Sequence, residues 1–194
     1  MEKHFAFYGA YHSKPINVMI HIICVWPIFF TAILFLYFTP PLFGLPVIHF
    51  SMFGLHVALL FNFGFLFALI YGLFYICLEP KAGTLAALLC ALCWVASGVL
   101  GSWLHFTLAW KVVLATQVVC WIAQFIGHGV YENRAPALLD NLTQAFVMAP
   151  FFVLLEVLQA AFGYEPYPGF HAKVQARIAA EIEDWMKKKQ KLLS

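Results

Sequence analysis

Between Ile16 and Tyr164 the chain carries only seven charged side chains: Glu79, Lys81, Lys111, Glu132, Arg134, Asp140 and Glu156. An ordinary soluble domain charges about a quarter of its residues. Over all 194 residues the charged fraction is 10%, the hydrophobic fraction 63% and the mean hydropathy +0.85. Such a chain is an integral membrane protein, and nothing in it leaves room for a separate soluble domain. Each crossing needs roughly 20 apolar residues, so the length suits one compact bundle of four to six spans.

The amino terminus, Met1-Glu2-Lys3-His4-Phe5, lacks the order of basic region, apolar run and small-residue cleavage site of a signal peptide. Insertion is therefore expected to use the first span itself. Cys24, Cys77, Cys90, Cys93 and Cys120 all lie within apolar runs, where thiols act as small buried hydrophobes and not as a disulfide framework.

Ser13 followed by Pro15 is a helix-start signal. The first span is predicted over Ile16–Phe38, with a kink at Pro27. A second is predicted over Met52–Leu78, closed by a turn at Glu79-Pro80-Lys81-Ala82-Gly83, and a third over Thr84–Leu104, ended by His105. In the third, Ala87, Ala91, Gly98 and Gly101 permit close helix approach. A fourth covers Leu108–Gly127. A fifth apolar segment, Leu142–Phe162, contains Pro150 and Glu156 and either crosses or re-enters. The fold class is thus all-α: four transmembrane helices, a fifth apolar segment and a carboxy-terminal amphipathic helix. Residues 1–165 form a transmembrane catalytic domain. Residues 166–194 form a cytosolic tail whose stripe of Val174, Ile178, Ile182, Trp185 and Met186 precedes a run of lysines suited to an anionic membrane surface.

Four crossings bring the start of the first span and the stretch 127–141 to one membrane face. Lys3, Lys14, Lys81 and Arg134 on that face, against Lys111 on the other, make it cytosolic. His12, Asn17, His21, His128 and Glu132 share this side, whereas His49, His56 and His105 fall opposite as interfacial histidines. If the fourth helix runs on through Glu132, then Gln124, His128 and Glu132 recur every fourth residue and share a face. Ionisable groups near hydrocarbon are costly and mark function. His12, His21 and His128 with Glu132, Asn17, Gln124 and Asp140 on one face suit iron, zinc or manganese.

Non-haem Fe(II) oxygen chemistry and zinc hydrolysis both remain open on this reading, as does a non-enzymatic lipid carrier or assembly protein held together by the polar cluster. The chain has no H-E-x-x-H and no glycine-rich phosphate loop or serine elbow. It also lacks the closely repeated histidine boxes of di-iron membrane desaturases. No nucleic-acid partner is expected.

The residues Tyr11-His12-Ser13-Lys14-Pro15-Ile16-Asn17 with His21, then Gly127-His128-Gly129-Val130-Tyr131-Glu132, Arg134, Pro136-Ala137-Leu138 and Asp140-Asn141, carry a resemblance. With Gln144, Pro150 and Glu156, they resemble the fungal 2-hydroxy fatty acid dioxygenase family of small endoplasmic reticulum membrane proteins. The resemblance spans about residues 4–165. It implies Fe(II)-dependent α-oxidation that shortens a long-chain 2-hydroxy fatty acid by one carbon during phytosphingosine breakdown, with dioxygen as co-substrate and no second organic cofactor. On that reading His12, His21, His128 and Glu132 are the metal ligands, with Glu132 alternatively orienting His128. Arg134 either holds the substrate carboxylate or serves only the cytosolic charge bias, and Asn17 and Asp140 complete the catalytic group. Phe and Tyr, 29 of the 194 residues, supply packing and the acyl channel.

Overall fold

A computed structural model describes residues 1–52, 54–136, 138 and 141–193. Two compact units form, one from Met1–Ile22 with Gln124–Ser194 and one from Ile23–Ala123. Among the described residues, three helical stretches are long and apolar enough to cross a membrane: Pro15–Tyr37, Pro80–Glu132 and Gln144–Phe162.

A short helix α1 (Glu2–Tyr11) precedes α2 (Pro15–Tyr37), which runs on through Pro27 as one element. The second predicted span is shorter than expected. Residues Ile48–Met52 (β1) and Leu55–Leu59 (β2) pair antiparallel as a hairpin, and helix α3 occupies only Phe63–Leu78. Apolar runs do not by themselves separate strand from helix. The local signals are Gly54 at φ 78° in the hairpin connection, and Asn62, whose side chain accepts from the amides of Gly64 and Phe65 to cap α3.

The third and fourth predicted spans are the two limbs of α4 (Pro80–Ile126), which is broken at His105, where φ is 52° and ψ 164°. Its first limb begins earlier than expected, at Pro80, because Glu79 accepts from the amides of Lys81 and Ala82 and proline suits a first helical turn. The second limb returns along α2. The Gln117 amide on that limb donates to the Ile28 carbonyl and to Thr31, while Ser102, at the end of the first limb, meets Tyr37 at 3.1 Å. Gly101, also at the end of the first limb, is one of the small positions that allow close approach to α2, since a Cβ there would lie 2.4 Å from the Tyr37 ring.

In the other unit, α4 continues into a π-helical turn (Gly127–Glu132), and a second π-turn (Gln144–Met148) leads into α5 (Ala149–Phe162). Phe151, Phe152, Val153, Leu154 and Leu155 bury the middle of α5. The tail forms helix α6 (Phe170–Leu193). The start of its stripe packs on α1, where Val174 is buried and Ile178 meets Gly9, preceded by Phe170 stacking on Phe5, whereas Met186 at the other end is exposed. Glu2 adds ion pairs to Lys173 and Arg177. A short helix such as α1 is marginal alone, and α6 supplies the apolar partner it needs.

Candidate metal centre

The start of α2 and the end of α4 meet in one place. His12, in the link between α1 and α2, His21 on α2 and His128 in the π-turn have ring centroids 4.2, 4.9 and 5.0 Å apart. All three are buried, at 7%, 4% and 3% exposure. Each offers one ring nitrogen to a common point, and these nitrogens lie within 4.8 Å of one another.

The hydrogen bonds around the rings select the neutral forms that a metal needs. His12 Nδ1 donates to the Tyr8 carbonyl at 2.6 Å, and His21 Nδ1 donates to the Asn17 carbonyl at 3.0 Å. With Nδ1 carrying the proton, the Nε2 lone pair is free, as in metal sites where a carbonyl fixes the tautomer. Burial pushes the His12 imidazole well below its ordinary pKa, helped by His21 and His128 and opposed by the bond to the Tyr8 carbonyl. Among the described residues, His12 Nε2 and His128 Nδ1 are buried with no hydrogen-bond partner in the protein. Buried polar atoms are rarely left so. A divalent transition metal fits this donor set: three uncharged imidazoles, two with orphaned nitrogens. Metal–nitrogen bonds of about 2.0–2.1 Å would require the rings to close inward slightly.

The carboxylate departs from the expected arrangement. Glu132 lies outside the histidine cluster, and both its oxygens are engaged at the amino end of α2. Oε2 accepts from Ser13 Oγ at 2.7 Å, while Oε1 accepts from the Lys14 amide at 2.7 Å and from Asn17 Nδ2 at 3.2 Å. A helix amino terminus attracts an anion, and the open amide of Lys14 needs an acceptor. Ser13 therefore contributes to the cap indirectly, by donating to Glu132. The shared face of Gln124, His128 and Glu132 is also altered, because i→i+5 bonding in the π-turn departs from α-helical spacing. His128 turns to the cluster and Glu132 to α2.

Asn17 ties these parts together. Its amide donates to the Tyr11 carbonyl at 3.1 Å as well as to Glu132, and its Oδ1 is buried without a partner among the described residues. Gly127 makes room for it, since a Cβ there would lie 2.3 Å from Asn17 Oδ1. Gln124 is buried, with its Nε2 likewise unpartnered.

Arg134 follows Asn133, a residue in the left-handed region (φ 51°), and its amide donates to the His128 carbonyl at 3.2 Å. The guanidinium lies 3.4 Å over the Tyr11 ring, donates to the Ala10 carbonyl at 3.2 Å and sits 5.2 Å from the Trp185 ring. Asp140 lies outside the described residues. His49 and His56 are on the β hairpin and His105 is at the break in α4, none of them in the cluster.

Tyr8 was not readable as a site residue, although its spacing four before His12 on a short helix was a usable signal. Its ring stacks on His12 at 4.0 Å, and its hydroxyl donates to Glu156 Oε2 at 3.0 Å. Burial, with Glu156 adding to it, holds the Tyr8 phenol well above its ordinary pKa and keeps that donor protonated.

Residues 1–161 match the family described as 2-hydroxy-palmitic acid dioxygenase Mpo1-like. The chain is also 33% identical over 177 residues to the 2-hydroxy-palmitic acid dioxygenase MPO1 of Saccharomyces cerevisiae, covering 91% of this chain and 86% of that protein. No solved structure matches it. Those 161 residues include all three histidines, Asn17, Glu132, Arg134 and Glu156, so on both counts the chain belongs to the Mpo1-like family of 2-hydroxy-palmitic acid dioxygenases.

Proposed function

We propose that the protein is an Fe(II)-dependent dioxygenase that converts long-chain 2-hydroxy fatty acids to acids one carbon shorter, acting in the endoplasmic reticulum membrane. The observation that supports this most directly is the buried convergence of His12, His21 and His128 with two orphaned ring nitrogens. Three neutral histidines leave coordination positions open, which suits oxygen chemistry at non-haem iron. Iron bound there would supply Lewis acidity toward a hydroxy acid and a means of activating dioxygen.

The chain's own residues account for the rest. A 2-hydroxy acid offers two adjacent oxygen donors, its hydroxyl and one carboxylate oxygen, and an unhydroxylated acid lacks the first. Arg134 is held to His128 through its amide, and its fork retains donors beyond the one used on Ala10; it holds the substrate carboxylate bidentately. Glu132 and Asn17 act from behind the histidines, fixing the start of α2 and so the aim of His21. The reaction balances without an external reductant: hydroxy acid plus dioxygen gives the shorter acid, carbon dioxide and water. The carbon–carbon bond between C1 and C2 breaks, and four electrons pass to dioxygen.

The test is product analysis by mass spectrometry after supplying iron-loaded protein with a carboxyl-labelled long-chain 2-hydroxy acid in air. The reading expects an unlabelled acid one carbon shorter, little turnover of the plain acid and severe loss in Arg134→Ala. Unshortened substrate recovered from folded, iron-loaded protein would overturn it.

A further inference from the structure

His12 and His21 are held in the same tautomer by unequal supports. The carbonyl that receives His21 Nδ1 belongs to Asn17 and lies within the 23-residue helix α2, where backbone position is set by the helix itself. The carbonyl that receives His12 Nδ1 belongs to Tyr8, in the last turn of the ten-residue α1. That helix ends at once, because the His12 amide bonds to the Gly9 carbonyl and His12 leaves helical geometry at φ −129°. Terminal carbonyls of short helices fray. Something outside α1 must therefore fix Tyr8.

Packing alone does not do so. The Tyr8 ring packs against Phe5 and Phe152, contacts without direction, and with His12 and Glu156 the residue lines an open cavity of about 360 Å³ between α1, α5 and α6. The directional contact from outside α1 is the 3.0 Å bond from the Tyr8 hydroxyl to Glu156 Oε2, on the well-buried α5. Tyr8 then meets His12 twice, through its carbonyl at 2.6 Å and through ring stacking at 4.0 Å.

We propose that Tyr8 and Glu156 are a positioning pair for the metal centre: the Glu156 carboxylate anchors the Tyr8 hydroxyl, and Tyr8 in turn holds His12 with Nδ1 protonated and Nε2 aimed at His21 and His128. Neither residue touches the reacting atoms. The pair works by hydrogen bonding, so the negative charge of Glu156 is not required and an amide oxygen in its place serves as well. This inference rests on the three histidines binding iron.

The experiment compares full-length wild type with Tyr8→Phe, Glu156→Leu and Glu156→Gln, each purified in detergent, stripped of metal and titrated anaerobically with Fe(II). Loss of a residue that supports a ligand typically costs 10–100-fold in metal affinity. Tyr8→Phe and Glu156→Leu should each show about that loss, and the double variant should be no worse than either, because both cut one link. Glu156→Gln should bind within about threefold of wild type, and excess Fe(II) should restore turnover to Glu156→Leu. Nitrogen NMR of the His12 ring in metal-free protein gives a readout independent of iron. Wild type should be Nδ1-protonated, and the first two variants should shift toward a mixture of tautomers. Tyr8→Phe removes a single oxygen and keeps the core volume, which guards against a variant that merely misfolds. Unchanged affinity and tautomer in Tyr8→Phe would overturn the proposal, as would a Glu156→Gln as weak as Glu156→Leu. Wild type that binds no iron would instead overturn the dioxygenase reading, while the tautomer measurement would still decide this one.

Discussion

At the scale of single residues, the site depends on histidines that stay uncharged. In the unfolded chain His12 titrates near its ordinary value of about 6.5, whereas in the folded protein burial keeps it neutral well below that. The unfolded state therefore binds the proton first as pH falls. The stability that His12 protects is complete above about pH 6.5 and declines below it, at up to about 1.4 kcal/mol per pH unit. Thermal unfolding of the metal-free protein in detergent should show a midpoint that drops between pH 7.5 and pH 5.5, with a smaller drop in His12→Gln. Equal drops in both proteins would contradict this assignment. His12, His21 and His128 were legible in the sequence because so few ionisable groups interrupt its apolar runs. The place of Glu132 was not. A carboxylate four residues after a histidine reads equally as a ligand or as a cap, and its three donors, Ser13, Lys14 and Asn17, come from residues far away in the chain.

At the scale of elements, the start of α2 and the π-turn are fitted together through Asn17 and Gly127. Gly127→Ala would place a methyl 2.3 Å from Asn17 Oδ1, against a side chain that already holds the Tyr11 carbonyl and Glu132. Overpacking of this kind costs about 1–3 kcal/mol. Here it should also disturb the aim of His21, so the variant should lose metal affinity along with stability. Gly129→Ala, which meets open space, is the control expected to behave as wild type. Equal behaviour of the two variants would show that the contact is not tight. Apolar patterning foresaw α2 and both limbs of α4, including the break at His105. It missed the β1–β2 hairpin because five-residue apolar runs suit either structure, and the cap at Asn62 was the signal that should have started the helix there and not at Met52. The π-turn left no mark beyond Gly127 and Gly129.

At the scale of the whole molecule, a chain that reads as a bundle with an amphipathic, membrane-surface tail forms units that divide elsewhere. The tail joins the metal-site unit, with α6 against α1. The apolar stripe of α6 was plain in the sequence, but a stripe gives no information about whether a membrane or another helix covers it. Family membership and the three-histidine cluster support a metal site, and the proposed function places one iron among His12, His21 and His128. The direct test is elemental analysis and Fe(II) titration of the full-length protein purified without chelators, alongside His12→Ala, His21→Ala, His128→Ala and the control His105→Ala. The account predicts one iron per chain in wild type and His105→Ala, and loss of that iron in each of the other three. Stoichiometric zinc in fully active protein, or equal iron content in all four variants, would contradict it.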